Sequence, residues 1–243
     1  RRRFRASPLV VGTHAPTPRL QCQYKAGTVR LSLSMTPHQI IAKLTTSPPA
    51  KKITFIEGDT LKDFAAKIEQ NDVAAVASII ACAKSCVFDN DFLKQKPASV
   101  DLEGYLFPDT YAFQDGMDAR EILSVFLNTL GKKLTADRRA RITASGHSTH
   151  EILTMASLIE REVTGADDRR IVAGILWERL KQGIPLGVDA ATLYAVGKKG
   201  GGLTAADLQS DSPYNLRRHK GLPPGPINNP GLDAIDAALE PTP

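Results

Sequence analysis

Apolar and polar positions alternate over Thr28-Val29-Arg30-Leu31-Ser32-Leu33, and apolar residues then recur at Ile40, Ile41 and Leu44 behind a Thr36-Pro37 start, which predicts a strand followed by a helix. The order repeats after the turn-forming stretch TTSPPAKK: Lys52 to Glu57 (KITFIE) predicts a strand, Gly58 a break, and Thr60 to about Ile68 a helix. Two copies are too few to stack and cap as a solenoid, so a small α+β unit fits better. An Ala-rich helix is predicted over Asp72 to Val87, and another over Asp118 to Leu130 with Ile122, Val125, Phe126 and Leu130 on one face. Between them, DLEGYLFPDTYAF (101–113) follows neither period.

Ser148-Thr149-His150-Glu151 has the spacing of a capping box and opens a helix that runs through TMASLIEREV (154–163), with Ile152, Ala156, Ile159 and Val163 as its apolar stripe. Asp167 and Asp168 start the next helix, whose Ile171, Ile175, Leu176 and Leu180 keep the helical period until Gly183 stops it. GIPLGVDAATLY (183–194) returns through two glycines and a proline, placing Asp189 as the cap of a short helix. GLPPGPINNPG (221–231) predicts a stiff loop, with a short Ala-rich helix behind it.

Composition changes this picture little. The 243 residues are 42% hydrophobic and 23% charged, enough for one large domain or two smaller ones with a true core. The net charge of +5 is carried by Arg1, Arg2, Arg3, Arg5 and Arg19; without that arm the balance is neutral. No zinc-finger spacing, aromatic-interleaved basic strand or phosphate-binding glycine loop accompanies the arm, so nucleic acid is not an expected partner. No apolar run reaches the roughly 18 residues that a membrane span requires. Three cysteines, Cys22, Cys82 and Cys86, cannot all pair within a monomer. Cys82 and Cys86, four apart in a predicted helix, suit a two-ligand metal patch or a strained bridge, but no further ligand stands nearby, and buried thiols are the expected state.

The candidate chemistry is carboxylates, amides and tyrosines. No Ser-His-Asp order, nucleophile elbow or Cys-His arrangement competes with them, and His147 and His150 are most simply helix-entry residues. Glu160 and Glu162 fall about 80° to either side of the apolar stripe of their helix, so the wheel does not choose between them. Neighbours at three and four residues favour Glu162, which sits over Leu158 and Ile159, whereas Glu160 sits over Ala156 and Ser157. A carboxyl in an apolar setting keeps its proton toward neutrality, as a general acid must. The plain alternative is that both are solvated flank residues. DSPYNLRRHKGLPPGPINNPG (211–231) sets Tyr, Asn, Arg and His beside the proline-stiffened loop, a wall suited to a polar ligand. This inventory fits glycosidic-bond cleavage better than acyl transfer.

Four segments in this order, EGYLFPDTY (103–111), TMASLIEREV (154–163), VAGILWERLKQGIPLGVDAATLY (172–194) and SPYNLRRHKGLPPGPINNPG (212–231), resemble the bacterial endolytic murein transglycosylases of the YceG-like family. KAGTVRLSLSMTPHQIIAKL and KKITFIEGDTLKDFAAKI are similar to that family's small LysM-like module. The resemblance implies an α+β fold: a basic arm at 1–23, a partial LysM-like module at 24–60, then a mixed helical and strand lytic transglycosylase domain at 61–243, shortened at its C-terminus. It implies a lyase that cuts nascent peptidoglycan strands between N-acetylmuramic acid and N-acetylglucosamine and leaves 1,6-anhydro ends. On the I-E-x-E segment it makes Glu162 the catalytic residue, with Glu160 as fallback. Asp189, Tyr214 and Asn215 would line the cleft, and Glu103, Tyr105, Pro108 and Asp109 would form or support another wall. No metal or organic cofactor is implied. The expected partners are glycan strands and cell-wall synthases, and the expected location is the extracytoplasmic face of the cytoplasmic membrane, through an anchor not in this chain. Two departures stand out: Asp189 is followed by Ala190-Ala191 where the family often has D-P-T, and the chain stops at EPTP where the family continues. A non-catalytic peptidoglycan-binding or scaffold protein is the rival reading.

Overall fold

The computed structural model describes residues 32, 34–45 and 50–242. The basic arm and Cys22 lie outside them, and of the strand expected at 28–33 only Ser32 is described. The helix behind it forms as α1, Pro37–Thr45.

Local capping chemistry starts several of the helices that follow. Thr60 with Asp63 opens α2 (Leu61–Gln70) as a capping box, in which the cap side chain accepts the third amide and the third carboxylate accepts the cap's own amide. α3 is Val76–Ser85, shorter than its Ala-rich run suggested. Asp118 with Glu121 and Ser148 with Glu151 open α4 (Ala119–Lys133) and α6 (Thr149–Glu162) in the same way. α7 is Ala166–Lys181, α8 Asp189–Ala195, α9 Ala205–Leu208 and α10 Leu232–Leu239.

Strand β1 (Ala50–Thr54) pairs antiparallel with β2 (Thr110–Gln114), Ala50 opposite Gln114 and Thr54 opposite Thr110. The stretch at 101–113 that follows neither period is therefore a buried loop, Leu102 to Pro108, feeding a strand; surrounded on all sides, the loop carries no alternation to detect. Behind the ribbon, Phe55, Phe64, Tyr111, Phe113 and Phe126 form one aromatic cluster, with Phe55 4.6 Å from Phe64 and 4.9 Å from Phe126 between ring centres.

Three expectations are corrected. α6 is not an amphipathic surface helix: from Thr149 to Ile159 every residue but Glu151 is buried, because α7, α8, α10 and the 3₁₀ turn at Asp91–Gln95 surround it. α7 buries Arg169, Ala173 and Leu176 rather than its isoleucines, and Ile171 and Ile175 are 49% and 48% exposed. The cysteines at 82 and 86 form a disulfide, not buried thiols: α3 ends at Ser85, and Cys86 takes an extended backbone that releases its side chain from the helical path. Two helices are not among those expected, the one-turn α9 and α5 (Ala136–Ser145), which buries only Ile142 and is held instead by ion pairs, among them Arg138 with Asp236 at 2.7 Å.

The loop segments that carried the resemblance are docked on one another. Gly104 has φ +82°, and a Cβ there would lie 2.3 Å from the Pro226 ring. The Leu106 amide donates to Asn229 Oδ1 (3.0 Å), the Gly58 amide donates to the Asn229 carbonyl, and the Asn229 amide donates to the Asp59 carbonyl (3.0 Å each). Ser157 of α6 receives the Ile227 amide at 3.0 Å, and its carbonyl receives Asn228 Nδ2 at 2.7 Å. The INNP segment thus fastens the loop after β1 and the loop before β2 to the central helix.

Candidate active site at the end of helix α6

The two glutamates of α6 meet opposite fates at the helix end. Glu160 has a side chain only 5% exposed, with Oε1 accepting from Arg169 Nη2 at 2.6 Å and Oε2 from the Gly231 amide at 2.9 Å. Glu162, the last residue of the helix, is exposed, and among the described residues no hydrogen bond or ion pair engages its carboxylate. The expectation that Glu162 is the drier of the two is overturned. Neighbours at three and four residues describe only the helix itself, whereas Glu160 is covered from outside it, by α7, by Gly231 and by the turn at Gly58. Glu162 nevertheless holds its proton more tightly than an ordinary carboxyl, first through partial desolvation and then through the negative charge of Asp189.

Asp189 is the first residue of α8 rather than its cap, which is Val188. Its half-exposed carboxylate receives Arg217 Nε at 2.6 Å and Nη2 at 3.1 Å in a forked pair. The Gly187 amide donates to the Leu216 carbonyl at 2.9 Å and holds the start of α8 against the arginine's loop. Asn215, next along that loop, is fully buried: Nδ2 donates to the carbonyls of Leu208 and Ser210 (3.0 and 2.8 Å), and Oδ1 accepts from the Arg217 amide at 3.3 Å.

At the other end of α8, Tyr194 stands 5.3 Å from Tyr214 between ring centres and donates to Glu103 Oε2 at 3.4 Å. Burial pushes the Tyr214 phenol up to about 12. Glu103 is itself buried; Oε1 accepts the Leu61 amide at the start of α2 (2.8 Å) and Asn229 Nδ2 (3.3 Å), and burial pushes its carboxyl up to about 8. Tyr105 is fully buried with its hydroxyl 2.8 Å from His150 Nδ1, while His150 Nε2 donates to the Pro224 carbonyl at 2.9 Å. Because a carbonyl only accepts, Nε2 carries the hydrogen and Nδ1 receives the Tyr105 hydroxyl. Asp109 is exposed, accepts the Thr110 amide at 2.7 Å and lies 3.8 Å from Lys133.

The residues expected to bind substrate therefore fall into two groups. Asp189 begins α8 and Tyr214 packs from its loop against Tyr194 at the helix's other end, both with surface to offer, and the charge of Asp189 reaches Glu162. Glu103, Tyr105 and Asn215 spend their polar atoms inside the molecule, and Asp109 sits beside the strand ribbon. Three further residues at this site were not singled out: Arg217, Tyr194 and Arg169. Arg169 was readable, standing four and seven residues before Ala173 and Leu176 on one buried stripe. A separate concavity of about 540 Å³, lined by His147, Trp177, Leu180, Pro241 and Thr242 among others, includes none of the residues named for the site.

Comparisons with known proteins bear on this arrangement. The sequence pattern of the YceG-like family matches residues 5–243. Over 231 residues the chain is 36% identical to the endolytic murein transglycosylase of Bacillus subtilis (strain 168), covering 90% of this chain and 64% of that protein. Over 247 residues it is 31% identical to the endolytic murein transglycosylase of Streptococcus pneumoniae serotype 2 (strain D39), covering 90% of this chain and 45% of that one. The chain thus spans less than two thirds of the length of these relatives. The crystal structure of a yceG-like protein from Listeria monocytogenes is similar in fold, with a TM-score of 0.71 and 33% identity, covering 91% of this chain and 77% of that one.

Proposed function

Because the chain belongs to the YceG-like family, we propose that it acts as an endolytic murein transglycosylase, with Glu162 as its single general acid and base. The observation that carries this reading is the contrast at the end of α6: the Glu160 carboxylate is spent on Arg169 and Gly231, while Glu162 stands open beside Asp189 with a raised proton affinity. Protonated Glu162 gives its proton to the glycosidic oxygen as the bond to C1 of N-acetylmuramic acid breaks. The resulting carboxylate then takes the proton of the C6 hydroxyl as O6 closes on C1, leaving a 1,6-anhydro end and returning Glu162 to its starting state. No water is consumed. One carboxyl suffices, because the nucleophile belongs to the sugar and is already in place; a hydrolase needs a second carboxylate at a set separation.

In this reading Asp189 and Tyr214 contact the glycan, and Glu103, Tyr105, Pro108 and Asn215 hold the walls from behind. Asp109 marks the outer edge of the second wall. The Asp189–Arg217 pair is exposed enough to exchange partners with a sugar hydroxyl at little cost. The substrate is peptidoglycan on the outer face of the cytoplasmic membrane, the LysM-like segment at 24–60 adds glycan contacts, and cell-wall synthases supply the strands. No helix among the described residues is long and apolar enough to cross a membrane.

The test is product chemistry. Incubated with uncrosslinked glycan strands, the protein is expected to generate anhydro-muramic ends, read by mass spectrometry, and Glu162→Gln to lower their formation by about a thousandfold, the middle of the range that general acid–base catalysis supplies. Reducing ends would make it a hydrolase, and strand retention without product a binding protein.

A further inference from the structure

The last turn of a helix is its weakest, because its carbonyls have no partners further along the chain. In α6 that turn carries Glu162, and Glu160 is fastened two residues earlier with unusual thoroughness. Arg169 meets it from α7 with a side chain 8% exposed, 2.6 Å away, and also reaches toward Asp233 of α10 at 3.6 Å. Gly231 supplies its amide to the second Glu160 oxygen at the start of α10. Glu57 closes the cluster from the loop after β1: its carboxylate fills the space beside Gly231, where a Cβ would come 2.0 Å from Glu57 Oε1. Burial, and next the charge of Glu160, raise the Glu57 proton affinity, while Arg169 opposes them. Glu160 and Asp233 thus pair with one guanidinium, Glu57 adds a third negative charge nearby, and the guanidinium Nε is buried without a partner among the described residues.

Stability alone is a poor reason for such a cluster. A buried ion pair costs several kcal/mol of desolvation for each ion, and well-packed apolar residues often serve as well or better. Geometry is a better reason. Residues two apart on a helix point about 200° apart, so pinning Glu160 against α7 and Gly231 fixes the rotation of the last turn and holds Glu162 on the opposite side, where it feels the charge of Asp189. We infer that the Glu160–Arg169 pair, closed by the Gly231 amide, is the positioning device that holds the Glu162 carboxyl in its working direction. This rests on Glu162 being the acid of the proposed reaction.

The experiment measures anhydro-end formation against strand concentration for the parent, Glu160→Gln, Arg169→Lys and Glu162→Gln, with a thermal melt for each. Glu160→Gln keeps an acceptor for Gly231 but loses the ion pair, and Arg169→Lys keeps the charge but loses the planar guanidinium that reaches Glu160 with one nitrogen and Asp233 with the other. Both are expected to lower kcat by roughly 10–100-fold with KM within about twofold of the parent, the mark of a misdirected catalytic group rather than a lost binding contact. Parent-like kcat in either folded variant overturns the inference, as does a loss carried by KM alone. Absence of a cooperative melt in both variants overturns it too, since the pair would then be a folding element. The Glu162 reading is tested separately. If Glu162→Gln turns over like the parent, the proposed catalyst is wrong whatever Glu160 does; if it is inert while Glu160→Gln is normal, only the positioning role fails.

Discussion

Glu103 was expected at the wall of a cleft, yet every contact of its carboxyl comes from inside the molecule: the Leu61 amide, Asn229 Nδ2 and the Tyr194 hydroxyl. Its proton affinity is raised to about 8, so between about 4.5 and 8 the folded protein keeps a proton that the unfolded chain releases. Stability from this group is therefore complete below 4.5 and is lost as pH rises toward 8, at roughly 1.4 kcal/mol for each pKa unit that survives in solution. Urea midpoints are expected to fall from pH 6 to pH 9 in the parent and to fall less in Glu103→Gln, which retains the shape and an acceptor for Leu61. Identical slopes would show that Glu103 keeps an ordinary pKa. The sequence was silent on this burial, because the groups that enclose Glu103 lie 42, 91 and 126 residues away. The same limit applied to the pair in α6. Choosing Glu162 from its own helical neighbours reached a reactive candidate through the wrong cause, since the drier carboxylate is the one that Arg169 and Gly231 cover.

Elements whose boundaries are set by their own residues were legible: Thr60, Asp118 and Ser148 each cap a helix where a capping box was visible or a start was expected. Elements whose character depends on what packs against them were not. α7 has a good isoleucine stripe, but the face that meets α6 and α10 is Arg169, Ala173 and Leu176, so Ile171 and Ile175 stay exposed. α5 has Ile142 as its one large apolar residue and is held by salt bridges to distant carboxylates, Arg138 with Asp236 and Arg141 with Glu240, which no periodicity registers. The docking of the EGY loop on the proline loop was half visible, in the two glycine- and proline-rich motifs but not in their contact. That contact gives a prediction at this scale. Gly104 combines φ +82° with a Pro226 ring 2.3 Å from any Cβ, so Gly104→Ala is strained in backbone and in space at once, and a proline ring is not a flexible side-chain tip that can swing away. The expected cost is about 3 kcal/mol or more by chemical denaturation. Gly146→Ala makes the control, with φ +74° but nothing within 4 Å, and is expected to cost only about 1 kcal/mol. Equal losses at the two sites would mean that the proline contact yields to a methyl group.

At the scale of the whole molecule, the sequence suggested a boundary near residue 60, between a small strand-and-helix module and the larger domain. The strand on the near side of that boundary is hydrogen bonded along its length to one on the far side, since β1 pairs with β2 from Ala50–Gln114 to Thr54–Thr110, and the Phe55 amide continues the ladder to the Asp109 carbonyl. Ile53 and Phe55 are 4% and 2% exposed, and Phe55 sits among Phe64, Tyr111, Phe113 and Phe126. The same loop delivers Glu57 and Gly58 to the Glu160 cluster and Asp59 to Asn229. Residues 50–59 are thus hydrogen bonded to and packed against the part that carries the site. Two measurements follow from one physical argument. Phe55→Ala leaves a cavity in an aromatic core and is expected to cost about 3–5 kcal/mol, a large share of the ~5–15 kcal/mol that holds a domain together. A chain starting at residue 61 loses Ile53, Phe55 and the whole partner of β2 at once, exceeds that margin, and is expected to give no cooperative melt, whereas a chain starting at residue 50 keeps them all. A chain from 61 that melts within a few degrees of the parent would place the boundary where the sequence put it and would make β1 an accessory strand.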